Sequence, residues 1–183
     1  MKPALVAALL VSLLPLTVHA QAPAQQNDDH PAEHAKPAIP PSRSVNVSFE
    51  GKTITLTVED LLNLPQVEVH VHNAHRNADE SYSGPLLADV LARIGLKASR
   101  ETEPLILHSS LVATGTDHYF VLYSLAEIEP SFSTGQVIVA IMKSGLPNTD
   151  GGLIELVNTA DAKPARWLHG LTDLNVMSLA PSK

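Results

Sequence analysis

The stretch from Val67 to Leu91 constrains the fold most, because a strand pattern gives way there to a helix pattern within a short distance. At its start, three valines alternate with polar residues that include His70 and His72, which predicts a strand with one aliphatic and one polar face. We expect the polar residues 73–83 to form a loop. Residues 84–95 then begin with Gly-Pro, carry apolar side chains at helical spacing and end in glycine, so they predict a helix.

Short strands and short helices alternate through the rest of the chain. Residues 45–49 and 53–57 are β-prone and flank Gly51, which predicts a hairpin. Thr57 and Ser124 each begin a capping-box pattern, so a short helix should follow each of them. Further strands are predicted at 104–114, 118–123, 136–142, 153–158 and 171–179. This order predicts an α+β fold with a mixed β-sheet or open barrel and short helices.

The N-terminal residues predict export. Residues 1–20 have a basic start, an apolar core and a small-residue cleavage pattern, which together are typical of a signal peptide. Residues 21–43 are rich in proline, alanine and polar residues, and predict a disordered tether. Residues 44–180 then form one domain. We expect a periplasmic or secreted protein that is not inserted in the membrane after signal cleavage.

Composition excludes several kinds of partner and site. The formal net charge is −7, which argues against nucleic-acid binding because that needs a positive field. The chain contains no cysteine, so no thiolate can ligate a metal or attack a substrate. No nucleophile-elbow or phosphate-loop motif is present, and we assign no catalytic residue.

Four segments, taken in order, resemble the molybdopterin-binding domain of sulfite-oxidase-type oxidoreductases, and especially its small secreted members. They are Leu-Thr-Val-Glu-Asp-Leu with the following Leu-Pro at 56–65, Tyr-Ser-Gly-Pro-Leu-Leu-Ala-Asp-Val-Leu at 82–91, the segment 124–132, and Gly-Gly followed by Pro-Ala-Arg-Trp within 151–167. The resemblance spans residues 45–179. It implies the fold of that family and a molybdopterin cofactor used in redox chemistry.

The chain departs from the family pattern at the metal ligand. In the family, a cysteine in the strand before the helix ligates molybdenum, and that strand here is Val67 to His72. The family's cofactor-loaded enzymes usually leave the cell with a twin-arginine signal, but Met1-Lys2-Pro3 has no arginine pair. We therefore expect a non-catalytic binding module, most simply without a cofactor. The alternative is a molybdopterin-dependent oxidoreductase, or a subunit of one, that uses the cofactor without cysteine ligation.

Three histidines form a candidate metal site. His70 and His72 project from one strand face and His75 follows, and imidazole suits Zn or Cu. This gives a weaker alternative function as a Zn- or Cu-binding protein. The competing interpretation is a polar sheet face in which the histidines bond to acidic neighbours.

Four further residues are candidates for binding a cofactor or ligand. Asn73 and Tyr82 flank the predicted loop, while Arg166 and Trp167 follow a proline and could receive an anion or a pterin-like ring. The alternative places Trp167 in the core and pairs Arg166 with an acidic residue. The expected partner at the His70–Tyr82 loop is a small molecule, a metal or a periplasmic protein.

Overall fold

The structure is a computed structural model that describes residues 40–179. The predicted signal peptide and residues 21–39 of the predicted tether lie outside the described residues. The described chain contacts the domain before its first strand begins. The Pro40 carbonyl accepts a hydrogen bond from Thr116 Oγ1 at 2.8 Å, and the Ser42 amide donates to the Gly152 carbonyl at 2.8 Å.

Twelve strands, four short α-helices and one 3₁₀ turn make up the described residues. The strands are β1 (Ser44–Phe49), β2 (Lys52–Thr57), β3 (Val67–Asn73), β4 (Ala78–Gly84), β5 (Ser109–Gly115), β6 (Phe120–Ser124), β7 (Val137–Ala140), β8 (Met142–Lys143), β9 (Leu146–Pro147), β10 (Glu155–Asn158), β11 (Leu168–His169) and β12 (Leu171–Ser178). The helices are α1 (Val58–Leu62), α2 (Leu87–Ala92), α3 (Glu103–Leu107) and α4 (Leu125–Ile128), with the 3₁₀ turn at Pro164–Arg166.

A five-stranded sheet in the order β2-β1-β12-β5-β6 backs the larger core. β1 and β12 run parallel and the other neighbours are antiparallel, so the predicted mixed sheet is confirmed. The predicted β1–β2 hairpin is present, and Gly51 takes the positive φ of +77° that its tight turn needs. Both predicted capping boxes are formed, at Thr57 with Asp60 and at Ser124 with Glu127.

Two smaller sheets lie in the orders β11-β10-β7 and β3-β4-β8-β9. A close backbone approach brings them together, because a Cβ at Gly84 on β4 would lie only 2.0 Å from the Val139 carbonyl oxygen on β7. A second core cluster fills the space between them and consists of Val69, Tyr82, Ile138, Ala140, Val157 and Trp167. β7 is buried along its whole length, as its continuous aliphatic sequence predicts.

Three expected elements are wrong in detail. The helix predicted over residues 84–95 is α2, which covers only Leu87–Ala92, because Gly84 belongs to β4. Residues 73–83 are not one loop, because 78–84 form β4 and pair antiparallel with β3 across a tight turn. The strand predicted at 104–114 begins only at Ser109, and α3 occupies Glu103–Leu107 before it with Pro104 in its first turn. The α+β class itself is confirmed. No helix within residues 40–179 has the length and apolar character to cross a membrane.

Candidate functional site

The β3–β4 hairpin positions a buried polar group. Its register places Val71 opposite Glu80 and Val69 opposite Tyr82. Glu80 therefore points to the same side as the buried Tyr82 and Val69, although it is charged. We call the side chains that meet there the Glu80 cluster, which consists of Asn73, Arg76, Glu80, Tyr82, Lys143 and Asp150.

Glu80 accepts from four donors. Its Oε2 accepts from Asn73 Nδ2 and from the Tyr82 hydroxyl, both at 2.8 Å. Its Oε1 lies 2.9 Å from Lys143 Nζ and 3.4 Å from Arg76 Nη1. Burial raises the pKa of Glu80, but the bonds from Asn73, Lys143 and Tyr82 outweigh it and lower the pKa to about 2. Glu80 is therefore an anion at neutral pH, with its oxygens already bonded.

Asp150 closes the outer side of the cluster. Its Oδ2 lies 3.4 Å from Arg76 Nη1 and 3.7 Å from Lys143 Nζ. The Lys143 side chain is only 14% exposed, and its ammonium lies 5.3 Å from the centre of the Tyr82 ring. Two cations thus face two carboxylates, and the local charge is balanced within the protein.

A second cluster of polar side chains surrounds the buried Glu155 on β10 and includes His169 on β11. The Glu155 side chain is 1% exposed, accepts from Asn148 Nδ2 at 2.8 Å, and faces His169 Nδ1 at 3.2 Å. The adjacent Glu155 carboxylate raises the pKa of His169 against the opposing effect of burial. Gly151 makes room for this group, because a Cβ there would lie 2.3 Å from Glu155 Oε2.

Trp167 lies beside the Glu80 cluster as part of the second core. It is 5% exposed, its indole N–H donates to the Asn158 carbonyl at 3.1 Å, and its ring meets Tyr82 edge-on with centroids 5.7 Å apart. Burial, with the nearby Glu155 and Glu80 charges, raises the pKa of Tyr82. The structure therefore brings three of the four predicted binding residues, Asn73, Tyr82 and Trp167, to one place, with Trp167 packed as a core residue.

Arg166 points elsewhere, although it neighbours Trp167 in sequence. Its Nη1 donates to Glu127 at 2.7 Å and its Nε to Asp161 at 3.2 Å, while its guanidinium lies 4.8 Å from the Tyr123 ring centre. The two carboxylates hold the pKa of Arg166 above its ordinary value despite partial burial. Its charge is thus compensated before any external anion arrives.

The three predicted metal-binding histidines are not gathered into one site. His70 and His72 project from the exposed face of β3, where His70 Nε2 lies 3.9 Å from Glu68 and His72 Nδ1 lies 2.8 Å from Asp79. His75 lies exposed in the hairpin turn, and its amide donates to Asn73 Oδ1 at 3.0 Å. Across residues 40–179, no group of three or more His, Cys, Asp or Glu side chains could hold a metal ion.

Neither β3 nor the cations Arg76, Lys143 and Arg166 offer the free groups that the resemblance implies for a molybdopterin site. At the strand that supplies the metal ligand in the family, β3 offers valines, two exposed histidines and no thiol. The nearby cations Arg76 and Lys143 already share Glu80 and Asp150, and Arg166 is held by Glu127 and Asp161. An anionic cofactor would have to displace these carboxylates.

Comparison with known proteins supports a distant relationship at the level of the fold. The sulfane dehydrogenase SoxCD from Paracoccus pantotrophus matches in structure with a TM-score of 0.59 and 17% sequence identity, over 76% of this chain and 40% of that chain. The chain thus spans about two fifths of that neighbour's length. No family model matches the sequence, and no curated protein matches it. The fold is therefore similar to that of this dehydrogenase. At 17% sequence identity, no site residue can be transferred from it to this chain.

The sequence interpretation missed several members of these groups. Glu80, Lys143, Asn148, Asp150, Glu155 and His169 were not among the predicted site residues. One signal was present, because Glu155 stands between Ile154 and Leu156 in an aliphatic run, and a charged residue in such a position is buried only with partners.

Proposed function

We propose that this protein is an exported, non-catalytic binding module with a fold of the molybdopterin-binding type, and that it works without bound molybdenum. The proposal combines three lines of support: the signal-like N-terminus, the sequence resemblance, and the absence of a thiol from a chain that keeps the fold. Export and the lack of a cofactor are parts of the proposal.

The main support for the proposal is that Glu80 is buried, ionised and fully hydrogen-bonded. This carboxylate lies beside the strand that bears the metal ligand in the family, and four protein donors already occupy its oxygens. A general acid or base needs a pKa near the working pH and access to substrate, whereas Glu80 is 8% exposed with its pKa lowered to about 2. The cluster is thus built to hold the fold rather than to move a proton.

The test is cofactor analysis of the full-length protein purified from its native cells. Metals are measured by mass spectrometry, and pterin by its fluorescence after oxidation. We expect molybdenum and pterin far below one per chain. Stoichiometric amounts of both would refute the proposal.

A molybdopterin-dependent oxidoreductase without cysteine ligation is the second candidate. The structural likeness to a chain described as a sulfane dehydrogenase favours it. In that case, cofactor present at one per chain in the parent should be lost when Tyr82→Phe removes the hydroxyl that bonds Glu80, or when Trp167→Phe replaces the indole beside the Glu80 cluster. Retained cofactor in both variants would place it elsewhere in the chain.

A further inference from the structure

A cavity of about 410 Å³ lies away from the Glu80 cluster, between α1 and the β8–β9 hairpin. Its walls are mainly apolar and include Leu62, Ile141, Met142 and Leu153. Leu62 is 50% exposed and adds an accessible apolar surface to this lining. The volume lies at the lower end of the range for small-molecule sites, roughly 300 to 1,000 Å³.

The rim of the cavity carries one charge of each sign. Arg43, which immediately precedes β1, and Glu59, in the first turn of α1, both line it and are both exposed. Neither side chain makes an ion pair or hydrogen bond to any other residue of the described range 40–179. Thr57, the other polar lining residue, is already engaged in the α1 capping box with Asp60. The two free charges are therefore the groups available to orient a ligand.

We propose that this cavity binds a short apolar peptide with free termini, its carboxylate at Arg43, its ammonium at Glu59 and its side chains against the apolar walls. The inference rests on the proposed function, since it names the ligand class of the binding module. A ligand with one net charge would gain at one rim residue and lose at the other, while a zwitterion gains at both. An apolar body is required because the remaining lining residues offer no free polar side chain.

The test is titration of the full-length protein with the dipeptide Leu-Leu, followed by NMR shifts or calorimetry. Its N-acetylated and C-amidated forms serve as matched ligands that each lack one charge. We expect Leu-Leu to bind more tightly than either capped form. Arg43→Gln should weaken Leu-Leu about two- to fivefold and abolish its advantage over the amide, as for an exposed ion pair. Glu59→Gln should likewise weaken Leu-Leu about two- to fivefold and abolish its advantage over the N-acetylated form.

A further variant tests the apolar walls. Leu62→Asp places a charge at the cavity and should weaken binding at least about tenfold. Its control is Leu107→Asp on α3, since Leu107 is similarly exposed at 46% and does not line the cavity. The control should bind as the parent does, and circular dichroism checks that both variants fold.

Absence of Leu-Leu binding at millimolar concentration would overturn the proposal. Equal binding of the capped and free peptides, unchanged by Arg43→Gln and Glu59→Gln, would also overturn it, since the rim charges would then have no role. Equal loss in Leu62→Asp and Leu107→Asp would place the site elsewhere. The cofactor analysis does not depend on these titrations, so each proposal can fail alone.

Discussion

Replacing Glu80 with glutamine tests the electrostatics of the Glu80 cluster most directly. The substitution keeps the side chain's size and removes its charge. It leaves Lys143, at 14% exposure, without a carboxylate that lies 2.9 Å away in the parent protein. In glutamine an NH₂ group replaces one of the two carboxylate oxygens. Whichever way the amide turns, this NH₂ donor faces two protein donors that had bonded to that oxygen. We expect a folded but less stable variant.

The size of the loss follows from the pKa. The pKa of Glu80 falls from 4.5 to about 2 on folding, and each pKa unit is worth about 1.4 kcal/mol, so the charged form stabilises the fold by about 3 kcal/mol. Because the folded-state pKa is the lower one, this stability is present above pH 4.5. It is lost as the pH falls from 4.5 toward 2.

The assay is urea unfolding followed by circular dichroism at pH 7, pH 4 and pH 2.5. We expect Glu80→Gln to lie about 3 kcal/mol below the parent at pH 7. The gap should narrow at pH 2.5, because Glu80 is then protonated in the unfolded chain and folding of the parent must release that proton. The control is Glu68→Gln on β3, whose side chain is 60% exposed and lies 3.9 Å from His70, and which should change little. A gap that is absent at pH 7, or the same at every pH, would refute this account.

Three further substitutions test the surroundings. Trp167→Ala should cost about 3 to 5 kcal/mol in urea unfolding, because it empties a 95%-buried site, and Trp167→Phe should cost clearly less; equal losses would contradict the core role. His169→Gln should destabilise more at pH 5.5 than at pH 9, since the raised pKa of His169 gives stability that is lost as pH rises through its folded value. The opposite trend in melting temperature would reject the Glu155–His169 pair. Gly151→Ala should lower the melting temperature, because its Cβ would meet Glu155 Oε2 at 2.3 Å and Asn148 Nδ2 at 2.5 Å; an unchanged value would show that these side chains move freely.

Elements whose signals lie within a few residues were predicted well. The β1–β2 hairpin, both capping boxes and the buried β7 follow from Gly51, from Thr57 and Ser124, and from an unbroken aliphatic run. Strand β4 was missed because its buried positions are Glu80, Tyr82 and Gly84, so no alternation of apolar and polar residues marks it. Helix α3 was missed because its short apolar run favours strand and helix alike.

The site could be predicted only in part, since it depends on long-range pairing. Asn73 and Tyr82 were named as binding candidates because they flank the predicted loop, but their common partner Glu80 was not. Lys143 reaches Glu80 from β8, and Asp150 reaches Lys143 from the segment after β9; no local pattern indicates either approach. Trp167 was assigned both a core and a binding role, and its burial beside Tyr82 satisfies the first directly.

The pairing of charges bears on what this fold can do here. A pocket that receives an anionic cofactor keeps cations free, because the attraction must exceed the cost of removing water from both partners. In this protein Arg76 and Lys143 share Glu80 and Asp150, and Arg166 is held by Glu127 and Asp161. An incoming anion would therefore have to break existing ion pairs and leave carboxylates without partners, at a cost of several kcal/mol for the buried ones. By contrast, Arg43 and Glu59, at the cavity between α1 and the β8–β9 hairpin, pair with no other side chain within residues 40–179, so the ligand proposed there would break no ion pair of the described chain.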